Sequence, residues 1–320
     1  MKKNAIVIVL VLITIIYGIR SIRPNPSACF ELSEYNLADS KFFGDTIISS
    51  NNGHLIFFDF KGNIIKEYED VFVNWICSYP EEGLIIAGNS NKEIQKITID
   101  NNYNIVSIDV IFTCENLMID PTIIKTDSGK WILTYVEIEG NVNNADENEE
   151  NGLYTVHSYS SDDLNDWKRL SDIVSEHNNI EDGDMIEYNN CLFYLYEKES
   201  FDKKQSEICI KYSEDRGETW SEEKIIIEGI ADNEMAAVKI EDNCLILYYS
   251  SDVENVGERY NGAKVYKAQF DLELSNSEAF IPIDFEENEG VLLYDVYEKN
   301  TGNKYLYSRN YLTENTLILK

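Results

Sequence analysis

The chain has 320 residues and carries 27 Lys and Arg against 58 Asp and Glu, a formal net charge of −31. A field of this sign repels nucleic acid and anionic membrane surfaces, so we expect neither as a partner of the folded part. Tyr, Phe and β-branched residues are abundant, and no long helix-period apolar stretch follows the N-terminus. The composition therefore predicts an all-β protein.

The N-terminus is a separate element. Lys2 and Lys3 precede an apolar run at 5–17, the pattern of a secretory signal peptide or a signal anchor, which would form one hydrophobic helix. We expect an exported protein that is either membrane-anchored by this segment, the favoured alternative, or secreted after cleavage. The predicted division is a signal peptide or anchor at 1–23, a short tether at 24–35 and one domain at 36–320.

Short aromatic or β-branched runs recur between turn residues along the rest of the chain. They lie at 54–59, 83–87, 131–135, 192–196, 245–249 and 304–307. Most of the runs follow a turn signal, and each is predicted to be the second strand of a four-stranded blade. Six such units predict a six-bladed β-propeller, with five blades and irregular ends as the alternative. We expect the segment 305–319 to pair with a strand near Phe30 and close the ring.

Six cysteines are present, and Cys191 and Cys244 occupy the same place in successive repeats. A strand position of this kind favours a small buried thiol over half of a disulfide. No Cys or His cluster has the spacing of a metal site, so we expect no metal and no cofactor. Calcium is conceivable in the acidic segment 137–151, but its acids lack the spacing of a calcium loop, and a solvated loop is the favoured interpretation.

One stretch has the chemistry of a rigid hairpin turn. Ser213 and Asp215 can accept hydrogen bonds from turn N–H groups, and Gly217 tolerates positive φ. Thr219 completes the pattern, and Trp220 can pack into the sheet beneath and hold the turn to the blade. The stretch therefore predicts a structural turn between two strands.

A second, weaker copy lies about 50 residues upstream, a spacing typical of propeller blades. Ser160, Asp162 and Trp167 align with the Ser, Asp and Trp of the first copy, while Leu164 replaces the Gly and Asp166 the Thr. Together the two copies resemble the Asp-box, or BNR repeat, of sialidase-like β-propellers. The resemblance implies the propeller fold and a structural role for these residues.

In a propeller, residues at the start of each blade's first strand approach the central axis. The aligned repeats place there Asp45, Asn74, Trp75, Asp120, Glu181, Asp182, Asp184, Asp232, Asn233 and Glu234. A ring of carboxylates around one pocket is what glycoside hydrolysis needs, because one carboxyl protonates the leaving oxygen while another activates water or attacks. A site that takes a glycan or small sugar is therefore expected.

The segments 119–135 and 180–196 resemble blade openings of arabinanase- and xylosidase-type propeller glycoside hydrolases. The resemblance implies Glu181 as general acid and Asp120 as the residue that modulates its pKa, with Asp45 as a candidate base. Trp75, Asp184, Asn233 and Glu234 are predicted to contact substrate. The alternative for each carboxylate is a surface turn residue that merely caps a strand.

These observations predict an exported, glycan-active propeller, a glycoside hydrolase that acts on a neutral sugar. The alternative is a non-catalytic propeller that binds carbohydrate or protein at the cell surface. A true sialidase is less favoured, because sialidases hold the substrate carboxylate with three arginines. Beyond the N-terminal segment the chain has four arginines: Arg169, Arg216, Arg259 and Arg309. Arg169 and Arg216 fall in the two repeated turns on the outer rim, so two are left for such a clamp. The sequence does not predict an oligomeric state.

Overall fold

The computed structural model describes residues 26–31, 37–140, 152–200, 205–275, 277–285, 288–299 and 302–319. The predicted N-terminal helix lies outside these residues, as does most of the acidic segment 137–151, whose first residues belong to a strand. Within the described part, no helix is long and apolar enough to cross a membrane.

The chain forms six antiparallel sheets of the kind predicted, so the all-β class and the six-bladed propeller are confirmed. One edge strand of each sheet is innermost, and neighbouring innermost strands contact one another around a closed ring. Blade 1 comprises β2 (Leu37–Phe43), β3 (Thr46–Asn51), β4 (His54–Asp59) and β5 (Ile64–Phe72). Blade 2 comprises β6 (Trp75–Tyr79), β7 (Leu84–Asn89), β8 (Glu93–Ile99) and β9 (Ile105–Thr113), with a 3-10 turn at Pro80–Glu82.

The next three blades repeat this order. Blade 3 comprises β10 (Leu117–Lys125), β11 (Trp131–Glu139), β12 (Leu153–Ser161) and two short outer strands, β13 (Lys168–Arg169) and β14 (Val174–Glu176). Blade 4 comprises β15 (Asn179–Tyr188), β16 (Cys191–Ser200), β17 (Gln205–Ser213) and β18 (Lys224–Ile227). Blade 5 comprises β19 (Asn233–Glu241), β20 (Cys244–Ser251), β21 (Lys264–Asp271) and β22 (Ser277–Pro282), with a 3-10 turn at Arg259–Asn261.

Blade 6 joins the two ends of the chain. It comprises β23 (Val291–Glu298), β24 (Lys304–Asn310), β25 (Asn315–Leu319) and, as its outermost strand, β1 (Pro26–Glu31). Phe30 lies opposite Thr316, so the predicted closure near Phe30 is present. Because β1 pairs with β25, the propeller extends into the range 24–35 that the sequence places in a tether.

The predicted second strands are confirmed in blades 2 to 6 but wrong in blade 1. The run at 54–59 is β4, the third strand, because β2 precedes it with a turn at Gly44 and Asp45. The error shifts the inner-strand alignment of blade 1. The residue of blade 1 that corresponds to the inner-strand carboxylates of other blades is Asp39, and not Asp45.

Adjacent blades are linked at the axis by one repeated contact. In every blade a backbone N–H of the innermost strand donates to a side chain of the preceding blade. The acceptors are Asp39 for Ile76, Cys77 for Ile123 (3.4 Å), Asp120 for Asp182 (3.0 Å), Asp184 for Val238 (3.0 Å), Ser250 for Leu293 (2.8 Å) and Asp295 for Phe42 (2.8 Å). Several axial carboxylates therefore help to hold the ring together, because a buried backbone N–H needs an acceptor.

The outer turns share a second device. In blades 1 to 5 the third and fourth strands follow each other along the chain. In each of these blades an Asp accepts backbone N–H groups of the turn between the two strands. The pairs are Asp59 with Lys61 and Asn63, Asp100 with Asn102 and Asn104, Asp163 with Asn165 and Asp166, Asp215 with Thr219, and Asp271 with Ser275.

The turn at 213–220 has the predicted chemistry. Ser213 accepts the N–H of Gly217 at 2.7 Å, Asp215 accepts that of Thr219 at 2.8 Å, and the indole of Trp220 packs toward Tyr194. These contacts fix the turn against the core between blades 3 and 4.

The upstream copy needs a correction of one residue. Its turn is held by Ser161 and Asp163, whereas Asp162 is 82% exposed and Ser160 makes neither turn contact. The turn is one residue shorter because it has one left-handed residue, Leu164 at φ 65°, where the downstream turn has two. Trp167 nevertheless packs between blades 2 and 3.

The cysteines of the described part are free, but Cys191 and Cys244, which we expected to be buried, are only partly buried. Cys77, Cys114, Cys191, Cys209 and Cys244 are free thiols, and Cys191 and Cys244 begin equivalent strands in blades 4 and 5.

Candidate functional site

Two cavities lie along the propeller axis. One, of about 310 Å³, opens where the innermost strands begin, and the other, of about 360 Å³, opens where they end. They share Asp39, Lys41, Asp120, Asp182 and Met235 in their linings, so they meet at the middle of the axial channel. We call the first the entry cavity and the second the exit cavity.

Irregularities in the inner strands bring carboxylates into the channel. The strand register shifts between Ile119 and Thr122 in β10 and between Glu181 and Asp184 in β15. Asp120 and Asp182 occupy these bulges with φ of 46° and 52°, a conformation that costs energy in residues other than Gly and is concentrated at functional sites.

Gly183 is required beside this bulge. A Cβ atom at position 183 would lie 1.9 Å from the hydroxyl oxygen of Tyr194, a fully buried side chain of the adjacent strand. The absence of a side chain lets the bulge pack directly against the blade, so its position is fixed. Thr122 adds a hydrogen bond of 2.6 Å to the Gly183 carbonyl.

The central feature of the entry cavity is a group of three close carboxyl groups. Oxygen atoms of Asp182, Glu197 and Glu234 all lie within 4.8 Å of one another. Glu197 is 1% exposed and accepts the N–H of Met235, whereas Glu234 and Asp182 line the cavity. The group therefore reaches from the interior of blade 4 to the cavity surface.

Burial and repulsion between charges favour the protonated forms of Glu234 and Glu197. Burial raises the pKa of Glu234 well above its usual value, and the negative charges of Asp232 and Asp182 raise it further, while Arg259 opposes them. Burial likewise raises the pKa of Glu197, reinforced by the charge of Glu234. A carboxyl that stays protonated near neutral pH can donate a proton, the property a general acid requires.

Among the described residues, these three oxygens lie close enough to one another to hold a cation. Carboxylate oxygens are the ligands that calcium prefers. The chemistry of the donor set thus allows a hard cation as well as a shared proton. The other place considered for calcium, the acidic segment 137–151, lies mostly outside the described residues.

Aromatic side chains form part of the wall of the entry cavity. Trp75 lines it beside the carboxylates, and Tyr260, Tyr294 and Tyr311 line the blade 5 and blade 6 side. The rings of Tyr260 and Tyr311 lie 5.0 Å apart, and the hydroxyls of Tyr294 and Tyr311 are 3.0 Å apart. Flat apolar faces next to carboxylates suit a sugar ring, which has both apolar C–H faces and polar hydroxyl edges.

The lysine that lines both cavities, Lys41, is already engaged. The ammonium of Lys41 donates to the Tyr294 carbonyl at 3.2 Å and lies 3.8 Å from Asp39. Burial opposes its charge, but the carboxylates of Asp39 and Asp295 outweigh burial and raise its pKa. Lys41 therefore stays charged and offsets part of the negative potential of the channel.

The structure brings together most of the residues proposed from sequence. Trp75, Asp120, Glu181 and Glu234 line the entry cavity. Asp184 lines the exit cavity, where its carboxylate accepts the N–H groups of Val238 and Met185.

Two proposed site residues lie outside both cavity linings. Asp45, the candidate base, is 68% exposed in the β2–β3 turn and pairs with Lys299. Asn233, a predicted substrate contact, is fully buried, and its side chain bonds to the Ser206 carbonyl and the Ser251 hydroxyl. Its amide is thus occupied in holding blades 4 and 5 together.

Three site residues were missed from sequence. Asp39 was hidden by the strand error in blade 1. Glu197 follows the apolar run of β16 directly, and a carboxylate that continues a buried strand is a signal that could have found it. Tyr260 lies in a polar loop. The chain has 21 tyrosines, and no sequence signal distinguishes this one as a site residue.

No protein-family model matches the sequence, and a search of curated proteins finds no relative. Solved structures do share the fold. A chain of the mitotic checkpoint complex is 8% identical with a TM-score of 0.55, covering 94% of this chain and 93% of that one. Sucrose-6-phosphate hydrolase from Lactobacillus gasseri is 12% identical with a TM-score of 0.50, covering 92% of this chain.

An endo-arabinase from Bacteroides thetaiotaomicron is 12% identical with a TM-score of 0.48, covering 76% of this chain and 90% of that one. The chain spans 59% of the length of the Lactobacillus enzyme. Structures similar to this chain thus include propeller glycoside hydrolases. At these identities the likeness shows the propeller fold alone, because one fold serves many functions.

Proposed function

We propose that the protein is a glycan-active propeller, a glycoside hydrolase that cleaves a neutral sugar in the entry cavity. The observation that carries this proposal is the accessible carboxyl of Glu234, whose pKa burial and neighbouring charges raise. A carboxyl with a raised pKa is the kind of group that protonates a glycosidic oxygen. Sugar-cleaving enzymes among the similar folds are consistent with this activity, as is the resemblance of 119–135 and 180–196 to propeller glycoside hydrolases.

In this proposal Glu234 is the general acid and Asp182 is the second carboxylate. Asp182 lines the same cavity, with its oxygen within 4.8 Å of those of Glu234 and Glu197. Glu197 is buried beside them, and burial together with the charge of Glu234 raises the pKa of Glu197. Glu181, the acid expected from sequence, remains a candidate in the same wall, and Asp120 positions Asp182 through its backbone N–H.

The charge of the cavity supports a neutral substrate. The lining contains several carboxylates and Lys41, which Asp39 already engages. Of the four arginines outside the N-terminal segment, Arg169 pairs with Asp172 and Arg259 with Asp232, and none is among the described residues that line the entry cavity. A clamp of free arginines for a sugar carboxylate is therefore not assembled from the described residues, which disfavours a sialidase.

Turnover of a panel of aryl glycosides tests the proposal. We expect wild type to hydrolyse at least one, and Glu234→Gln to lose at least about 100-fold in kcat, the usual size of a general-acid contribution. Glu181→Gln serves as the matched comparison, because it removes a neighbouring charge from the same wall. A larger loss in Glu181→Gln than in Glu234→Gln would move the acid role to Glu181.

The second candidate is a non-catalytic propeller that binds carbohydrate or protein at the cell surface. The aromatic wall of Trp75 and Tyr260 favours carbohydrate over protein as its ligand. Absence of turnover across the panel, together with glycan-array binding that Trp75→Ala abolishes, would establish this alternative. Export and anchoring by residues 1–23 are part of both proposals, and fractionation of cells that express the full chain tests them.

A further inference from the structure

A further cavity, of about 210 Å³, lies between blades 3 and 4 toward the outside of the propeller. Its walls are the β10–β11 turn at 126–130, the outer strands of blade 3 and the turn at 213–220. Because the β10–β11 turn follows the end of an innermost strand, the cavity lies on the side of the ring where the exit cavity opens. Its described lining residues differ from those of both axial cavities. We call it the outer crevice.

Strand pairing determines which side chains of blade 3 face the outer crevice. Ser160 in β12 lies opposite Ile132 in β11 and Lys168 in β13, so the three side chains share one face of the sheet. Ile132 packs in the core between blades 3 and 4, and this face is therefore the one that meets blade 4. Ser160 is 8% exposed, and its hydroxyl has no hydrogen-bond partner among the described residues. Buried hydroxyls normally have a partner, so the hydroxyl of Ser160 is available to a group bound in the crevice.

The blade 4 wall of the outer crevice presents a guanidinium without a counterion. Arg216 lines the crevice and forms no hydrogen bond or ion pair within the part of the chain that the structure describes. Its φ is 64°, in the left-handed region, where Gly and Asn are favoured over residues with larger side chains. An arginine at this position costs conformational energy and adds no contact to the turn. Strain of this kind is concentrated at functional sites, so it indicates a role for the Arg216 side chain outside the turn.

Cations outnumber carboxylates in the outer crevice, whereas the whole chain has 27 Lys and Arg against 58 Asp and Glu. The charged lining residues are Lys130, Lys168, Arg216, Asp215 and Glu218. Asp215 accepts hydrogen bonds from donors of its own turn at 2.8 and 2.6 Å, and Glu218 pairs with Lys168 at 3.1 Å. Lys130 lies 3.7 Å from Asp162, whose side chain is 82% exposed and well screened by water. The charges of Arg216 and Lys130 therefore remain available to a bound anion.

We propose that the outer crevice binds a phosphate or sulfate group, either as the free ion or as an ester on a sugar. The planar guanidinium of Arg216 can donate two parallel N–H bonds to such an oxyanion, and Lys130 adds a second positive charge from the β10–β11 turn. The hydroxyl of Ser160 can donate a further bond from the blade 3 face. This site goes beyond the proposed function and does not depend on it.

Titration with inorganic phosphate and with inorganic sulfate, followed by two-dimensional NMR of isotope-labelled protein, tests this site. We expect saturable shifts in wild type and about tenfold weaker binding in Arg216→Asn, because a charge-assisted bond is lost while Asn keeps the left-handed turn. Ser160→Ala should weaken binding about fivefold, the usual effect of one neutral hydrogen bond. Lys61→Gln is the matched control and should leave the affinity unchanged, because Lys61 is an exposed cation that precedes Gly62 in the corresponding turn of blade 1.

The same titration separates the two sources of the anion. Tighter binding of glucose 6-phosphate than of inorganic phosphate, with no binding of glucose, would assign the site to an ester on a sugar, and equal binding would assign it to the free ion. Absence of saturable binding of both inorganic anions to wild type would overturn the proposal, as would equal affinity of wild type and Arg216→Asn, the sign of an adventitious ion only. If Arg216→Asn does not fold, Ser160→Ala decides, and an unchanged affinity in that variant contradicts the proposal. Hydrolysis is not needed for this readout, so failure of the enzymatic proposal would be seen separately.

Discussion

The carboxylate of Asp120 accepts the backbone N–H of Asp182 at 3.0 Å, and this contact joins blade 3 to blade 4 at the floor of the entry cavity. Asp182 supplies one of the three close carboxyl oxygens. A residue that resembles a catalytic modulator in sequence thus acts in the structure on the backbone that positions the site. Stability and site geometry are coupled at this position.

Removal of the Asp120 carboxylate should therefore destabilise the propeller. We expect Asp120→Ala to lower the free energy of unfolding by about 1–3 kcal/mol, the cost of a buried N–H without its acceptor, and Asp120→Asn to lose less because the amide oxygen can still accept. Urea unfolding followed by tryptophan fluorescence measures both. Asp45→Ala, which removes an exposed carboxylate, is the control, and an equal loss in all three variants would refute the interblade role.

The corrected register of the blade 3 turn gives a matched pair of variants. Ser161 accepts the N–H of Leu164 at 2.9 Å, whereas its neighbour Ser160 makes no turn contact. Ser161→Ala should cost about 1 kcal/mol of unfolding free energy and Ser160→Ala clearly less. Thermal denaturation of the two proteins decides the matter, and the reverse order would restore the alignment proposed from sequence.

His157 should make stability depend on pH. Its ring nitrogens lie 2.8 Å from Glu137 and 2.7 Å from Asp172, and Arg169 lies beside Asp172. Burial opposes the charged ring, but the hydrogen bonds to the two carboxylates outweigh it and raise the pKa of His157. The bond to His157 lowers the pKa of Glu137 to about 2, against the effect of burial.

The directions of these two pKa shifts define the pH range in which both residues stabilise the fold. The His157 contribution is complete below its ordinary pKa of 6.5 and is lost as the pH rises through the higher folded value. The Glu137 contribution is complete above 4.5 and is lost as the pH falls toward about 2. Unfolding free energy measured against pH should therefore fall above pH 6.5 in wild type. His157→Gln should flatten that fall, and an unchanged slope would show that other groups cause it.

The close carboxyl group also predicts the stereochemistry of hydrolysis. Oxygens within 4.8 Å fit the roughly 5 Å separation of enzymes that retain the anomeric configuration better than the 6.5–9.5 Å of enzymes that invert it. Proton NMR of the first sugar released should thus show retention. Inversion would instead assign the second carboxylate role to a residue farther from Glu234, such as Asp39 or Asp120.

Much of this architecture could be predicted from sequence, for identifiable reasons. The apolar runs, the turn at 213–220 and the pairing near Phe30 are local patterns, and each led to the observed blades. The placement of Asp45 at the start of an inner strand was wrong. The true inner strand, β2, is polar and lacks β-branched residues, so β4 was taken for the second strand. A local signal marks Glu197 as a carboxylate in a buried strand, but its proximity to Glu234 could not be predicted, because the two residues come from different blades and no local spacing encodes their contact.

The role of Glu234 as proton donor is tested most directly by asking how the loss of activity in Glu234→Gln depends on the leaving group. The ratio of kcat/KM for wild type over Glu234→Gln should be measured with aryl glycosides whose phenols range from strongly acidic to weakly acidic. A proton donor matters most when the leaving oxygen is basic, so the account predicts a ratio that is small for the most acidic phenol and grows to 100-fold or more, roughly, for the least acidic. A ratio that is the same for every phenol, or no turnover by wild type, would contradict it.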